Sequence, residues 1–177
     1  MEKLNDNVIS LCKKGSHKAQ TQLYSFFYHK VYNSCFRILQ NQYEAEDAMQ
    51  ESFIKAFSQL DKYDEEKPFA AWILRIAINT AIDKLRESKP EWVDYDEKHH
   101  YYLEDENELE EWELTLEKIK QIKAAIERLP DIARLIINLY LIEGYDHEEI
   151  SGILHLSPGN VRIQYMRAKQ KLIEMLK

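Results

Sequence analysis

Residues Pro68 to Arg86, PFAAWILRIAINTAIDKLR, permit few folds. Proline suits the first position of a helix, where its missing N–H costs nothing, and no Gly or Pro recurs until Pro90, so one long helix is expected. At ~100° per residue, Leu74, Ala77, Ile78, Ala81, Ile82 and Leu85 share a broad apolar face that has to pack on other helices. Trp72, Arg75, Ile76, Asn79, Asp83 and Arg86 fall on the opposite side. A solvated face would rather carry Lys and Glu. An indole, an amide and guanidiniums in one row suit unstacked bases and phosphates, although a core edge flanked by solvated arginines gives the same pattern.

Helical periodicity continues on both sides of this segment. Val8 to Gln40 reads as helix with a break near Gly15, and Leu23, Phe26, Phe27, Val31, Cys35, Ile38 and Leu39 make its later part apolar nearly all round, as in the central helix of a bundle. After the polar break at 40–42, a helix is expected from Tyr43 to Leu60 with Met49, Phe53, Ala56, Phe57 and Leu60 inward. Glu44, Asp47, Glu51, Ile54 and Lys55 face away from that core, either as a solvated acidic face with a stray isoleucine or as a surface for a partner with basic groups around an apolar spot. Residues 61–67, DKYDEEK, form a short polar loop that ends at Pro68.

The formal charge of −7 argues against nucleic acid until it is divided along the chain. Residues 1–90 carry 13 Lys/Arg against 12 Asp/Glu, residues 91–115 carry 1 against 11, and residues 116–177 carry 10 against 8. The acidity sits in the middle, so residues 89–115 read as an acidic linker between near-neutral parts, and DNA binding would depend on local faces. As a flexible coil, such a linker spans roughly 29 Å. Its aromatics, Trp92, Tyr95, Tyr101, Tyr102 and Trp112, exceed what a spacer needs, which suggests docking in a complex.

In the last part, Ile119, Ile122, Ile126 and Leu129 line one helix ended by Pro130, and Asp131 to Glu143 forms a second, stopped by Gly144. Asp146 with Glu149 reads as a capping-box variant, and Ser157 as the N-cap of a final helix beginning at Pro158. This is a helix-turn-helix layout. In the final helix Val161, Tyr165, Ala168 and Leu172 face inward, leaving Arg162, Ile163, Met166, Arg167 and Gln170 outside, with Ile163 directed almost away from the core. In a major groove such apolar groups meet thymine methyls while arginines take guanine edges or phosphates; a protein partner would suit them as well.

The expected fold class is therefore all-α: a helical domain at 1–88, the acidic linker at 89–115 and a helix-turn-helix domain at 116–177. Cys12 and Cys35 have no metal or redox spacing, the N-terminus has no apolar signal core and no apolar run is long enough to span a bilayer, so a cytoplasmic protein with reduced thiols and no membrane insertion is expected. Enzyme chemistry finds no footing. His147-Glu148 begins a zinc-protease spacing but Ser151 stands where the second His is needed, and His99-His100 lacks a fixed third ligand. No cofactor, metal or small-molecule substrate is expected.

Two separated segments resemble one family, the bacterial RNA polymerase sigma factors of the extracytoplasmic-function (ECF) group. AEDAMQESFIKAF followed by KPFAAWILRIAINTAIDKLR is similar to the family's first domain, sigma region 2, and LPDIARLIINLYLIEGYDHEEISGILHLSPGNVRIQYMRAKQKL to its C-terminal region 4. The resemblance implies a factor that binds core RNA polymerase and directs promoter recognition and opening. It implies polymerase contact through Asp47, Gln50, Glu51 and Ile54, capture of the melted strand near the start site by Trp72, Arg75, Asn79 and Arg86, a flipped base in the loop at 61–67, and upstream duplex contact through Arg162, Ile163, Met166 and Arg167. It also suggests that the free protein is held closed, by an anti-sigma partner or by the acidic linker lying on the basic faces, and it implies a linker that enters basic polymerase channels. Two departures stand out: Ile163 and Gln164 replace a small polar and a basic residue common in the family, and the loop is rich in acid. The rival reading is a helix-turn-helix regulator whose first domain is a sensor.

Overall fold

A computed structural model of the chain describes residues 7–88 and 116–177; the acidic linker and its aromatics lie outside the described residues. Among the described residues the regular elements are all helical, and the chain divides into two compact units, Met1–Pro90 and Glu91–Lys177.

The first unit holds α1 (Asn7–Lys13), α2 (His17–Leu39), α3 (Gln42–Ser58) and α4 (Phe69–Ser88). Its breaks are built from local chemistry. Gly15 turns the chain after α1 with φ +79°, a conformation in which a Cβ is strained, and the Ser16 hydroxyl caps α2 by accepting from the Ala19 amide. Gln40 ends α2 in the left-handed region, and the Asn41 side chain accepts from the amides of Tyr43 and Glu44. The cap therefore starts α3 at Gln42, while the far end stops at Ser58 and Leu60 enters a single 3-10 turn, Leu60–Lys62.

Helices α2, α3 and α4 pack against one another around Leu23, Val31, Cys35, Met49, Ile73 and Ile78, all fully buried. Each such aliphatic side chain contributes about 1.5–3 kcal/mol by leaving water. Because α4 meets both α2 and α3, its buried face is wider than one stripe: Ile73 and Thr80 are buried on its flanks, whereas Leu74, expected inside, is half-buried. Phe26, also expected inside, is 41% exposed at the edge of α2.

The second unit holds α5 (Leu116–Glu127), α6 (Asp131–Ile137), α7 (His147–Leu154) and α8 (Pro158–Leu176), with Ile126, Leu129, Ile137, Ala168 and Leu172 at its centre. The helix expected over Asp131 to Glu143 changes register midway. It is α-helical to Ile137 and then makes one π-helical turn, Asn138–Ile142, in which the Glu143 amide donates to the Asn138 carbonyl; Leu139 stays buried and Leu141 and Ile142 face outward. Arg134 is buried in this helix and donates to Asp131 at 2.7 Å and to the Leu129 carbonyl at 3.3 Å.

Candidate nucleic-acid interface

On α4, Trp72, Arg75, Asn79 and Arg86 follow spacings of three, four and seven residues and so share one side of the helix, extending over ~21 Å. Arg75 and Asn79 are exposed. Trp72 is half-buried because its ring leans on Tyr63 (5.3 Å between centroids) and Phe69 (5.4 Å), and Arg86 is half-buried with its guanidinium 3.5 Å from the Asp83 carboxylate. The indole thus closes a core edge while remaining partly exposed.

The loop before α4 is more organised than its charge suggests. Tyr63 is buried among Phe69 and Trp72, and its hydroxyl donates to the Lys67 carbonyl, closing the loop on itself. Burial holds the Tyr63 hydroxyl above its ordinary pKa, with Glu65 and Asp64 adding to the shift. Sequence reasoning passed over Tyr63. The available signal was one aromatic among six charged residues, set shortly before Phe69 and Trp72.

On α3, Asp47, Gln50 and Ile54 are exposed, Ile54 at 69%, and Glu51 is half-buried. Their surroundings contain a residue that the sequence did not single out. Lys84, reaching across from α4, lies 2.5 Å from Asp47 and 3.1 Å from Glu51, and Lys55 lies 2.7 Å from Glu51 while donating to the buried Thr80 hydroxyl at 3.2 Å. The hydrogen bond from Lys55, then that from Lys84, holds Glu51 below the ordinary carboxylate range, and the hydrogen bond to Asp47 raises Lys84. Tyr43, one turn before Asp47, is 84% exposed on the same outer stripe and was likewise missed.

In the second unit the capping box is complete: the Asp146 carboxylate accepts from the amides of Glu148 and Glu149, and Glu149 accepts from the Asp146 amide. His155 ends α7 with φ +55°, the Ser151 hydroxyl donates to the Leu156 carbonyl at 2.7 Å, and the Ser157 hydroxyl accepts from the Asn160 amide to start α8 at Pro158. Tyr140, His147 and Tyr165 pack ring to ring at 4.5–5.3 Å and fasten both helices to the π-helical turn. Arg162 and Arg167 are exposed on α8. Ile163 departs from expectation: it and Met166 are half-buried and Gln164 is buried, because α5, α6 and α7 all pack on α8 and leave a narrower outward strip than a helix with one neighbour would have.

Both units match known proteins. Family models for Sigma-70 region 2 and Sigma-70, region 4 match residues 23–91 and 119–172. The ECF RNA polymerase sigma factor SigW of Bacillus subtilis is 31% identical over 194 aligned residues, spanning 100% of this chain and 99% of that one. The chain belongs to the ECF sigma factors. Its first unit carries sigma region 2 and its second carries region 4. The ECF sigma-E factor of Escherichia coli is 32% identical across 97% of this chain and 94% of its own length. Two solved structures share the fold at a TM-score of 0.55: CnrH in complex with the cytosolic domain of CnrY (22% identity, 97% of this chain and 96% of that chain) and RpoE of Bartonella quintana in complex with the anti-sigma factor NepR (21% identity, 88% and 95%). Among the described residues no helix is long and apolar enough to cross a membrane.

Proposed function

We propose that this ECF sigma factor divides promoter recognition among three helical faces. As a family member it binds core RNA polymerase and directs it to promoters; it is an initiation factor and not an enzyme. Core polymerase is held by the outer stripe of α3, through Asp47, Gln50, Glu51 and Ile54. The melted strand near the start site is taken by Trp72, Arg75, Asn79 and Arg86, with the loop at 61–67 receiving a flipped base. The upstream element is read in the major groove by Arg162, Ile163, Met166 and Arg167.

The observation that carries this reading is the shared row of Trp72, Arg75 and Asn79 beside an aromatic loop, one helix away from an exposed acidic stripe. Half-buried Ile163 and Met166 keep enough surface for methyl contact while their position is fixed by packing. The sensor-domain alternative leaves that row without a purpose, and the region 2 match over the same residues removes its basis. The factor acts in the cytoplasm, where an anti-sigma partner holds it inactive; the complex of the Bartonella RpoE with NepR supports such a partner by likeness of fold. The test is to mix the protein with core polymerase and a premelted promoter fork. Binding of the fork only in the presence of polymerase is expected; duplex binding without polymerase binding refutes the reading.

A further inference from the structure

The base-capturing role of the loop at 61–67 rests on the reading just given, and the loop has an anchor outside region 2 as matched. Helix α1 precedes the matched residues and packs on α2 and on the turn at Leu60–Lys62, with Val8 and Cys12 buried. From its last residue, the Lys13 ammonium donates to the Glu65 carboxylate at 2.6 Å and lies 5.9 Å from the centre of the Tyr63 ring. Tyr63 in turn supports Trp72.

The amides of Lys62 and Tyr63 donate back to the carbonyls of Gln59 and Leu60, and further bonds of the loop are internal. The Glu66 amide donates to the Asp64 carboxylate and the Lys67 amide to the Asp64 carbonyl, both at 3.1 Å, and the Lys67 ammonium lies 3.7 Å from Asp64. These bonds fix the turn's shape, and the Tyr63 ring seats the base of the loop on Phe69 and Trp72 of α4, while its tip at Glu65 is tied by Lys13. Four carboxylates, Asp61, Asp64, Glu65 and Glu66, repel one another across it and repel phosphate. Lys13 supplies a cation at this point and ties the tip to a helix packed on the core.

We propose that Lys13 is a positioning residue for promoter-base selection, holding the loop at Glu65 and Tyr63 so that the loop beside Trp72 has one shape. The pair is too open to matter much for folding, with 24% and 68% of the two side chains exposed, and α1 keeps its own buried anchors without it. Its effect falls on the populations of loop conformations, and so on discrimination between bases.

The test uses holoenzyme reconstituted from the full chain and core polymerase, offered premelted forks with a randomised non-template strand. Lys13→Ala is expected to flatten base preference at the captured position about three- to five-fold while leaving polymerase affinity and preference in the upstream duplex unchanged. The charge swap Lys13→Glu with Glu65→Lys is expected to restore the preference, and it keeps the test valid if the single variant folds poorly. Unchanged preference in Lys13→Ala, or a loss that the swap does not restore, overturns the inference. Asn79→Ala runs in parallel: if it binds the fork as wild type does, the strand-capturing face itself is wrong and the inference goes with it.

Discussion

Replacing Lys84 by Met tests how α3 and α4 are joined. Methionine keeps an unbranched apolar stem of similar reach and removes the charge that bridges Asp47 and Glu51. Each partly exposed pair contributes about 0.2–1 kcal/mol, and the loss leaves two carboxylates at i and i+4 repelling by about 0.2–0.5 kcal/mol. Because 69% of the Asp47 side chain and 40% of Glu51 are exposed, screening keeps the total near the low end, about 1 kcal/mol. For a domain of this size that shifts the midpoint by about 4–8 °C. Trp72 is the single tryptophan of residues 1–90 and none occurs in 116–177, so its fluorescence in a Trp92→Phe, Trp112→Phe background reports the first unit alone. Glu51 is depressed below its ordinary value of 4.5 first by Lys55, which the variant keeps, and then by Lys84, so the Lys84 share of its contribution is present above that value and is lost as pH falls through the folded pKa. Lys84 is raised above 10.5, so its contribution is present below that value and is lost as pH rises through the folded pKa. The difference between wild type and variant should therefore be widest between those limits, close at both ends, and shrink to under about half in 1 M salt. An unchanged midpoint at pH 7 and low salt, or a loss indifferent to salt and pH, refutes the bridge.

Ile54→Ala should weaken core polymerase binding measured by fluorescence anisotropy while moving the midpoint by less than about 0.5 kcal/mol in stability, because the side chain is 69% exposed. Arg167→Ala should weaken upstream duplex binding by ~1–3 kcal/mol where it meets a base, and leave fork binding intact in electrophoretic shifts. Ser157→Ala removes the cap that accepts from Asn160 and should destabilise the second unit by about 1 kcal/mol in urea unfolding followed by circular dichroism. Asn79→Ala, at an exposed position, should impair promoter opening in permanganate footprints without a stability change, whereas Trp72→Ala should do both, since it also removes the ring packed on Tyr63 and Phe69.

Features that depend on near neighbours in the chain were legible in the sequence. Asp146 and Glu149 form their capping box, Ser157 caps α8, and the break at 40–42 falls where Asn41 starts α3, because each needs only a few adjacent residues. Pairings across long separations were not legible: Lys84 with Asp47 joins two helices and Lys13 with Glu65 joins a helix to a loop, and nothing at either position marks its partner. Wheel geometry also misplaced Ile163 and Leu74 for one physical reason. It gives a direction about a single axis, while burial depends on how many neighbours surround that axis. The π-helical turn at Asn138–Ile142 escaped because an apolar helical pattern does not distinguish a shift from four- to five-residue bonding.

The same distinction explains how one helix serves two of the proposed faces. Twelve residues, ~18 Å of helix, separate Trp72 from Lys84 on α4. Ile73, Ile78 and Ile82 lock the segment between them into the core, so it moves as a rod. Lys84 fixes that rod to Asp47 and Glu51, and Lys55 fixes it again at Thr80, next to Asn79. On the proposed assignment, polymerase docked on α3 would therefore set the position of the row at Trp72, Arg75 and Asn79 with little freedom left. The loop has no such support from the core at its tip, and Lys13 stands where that freedom remains.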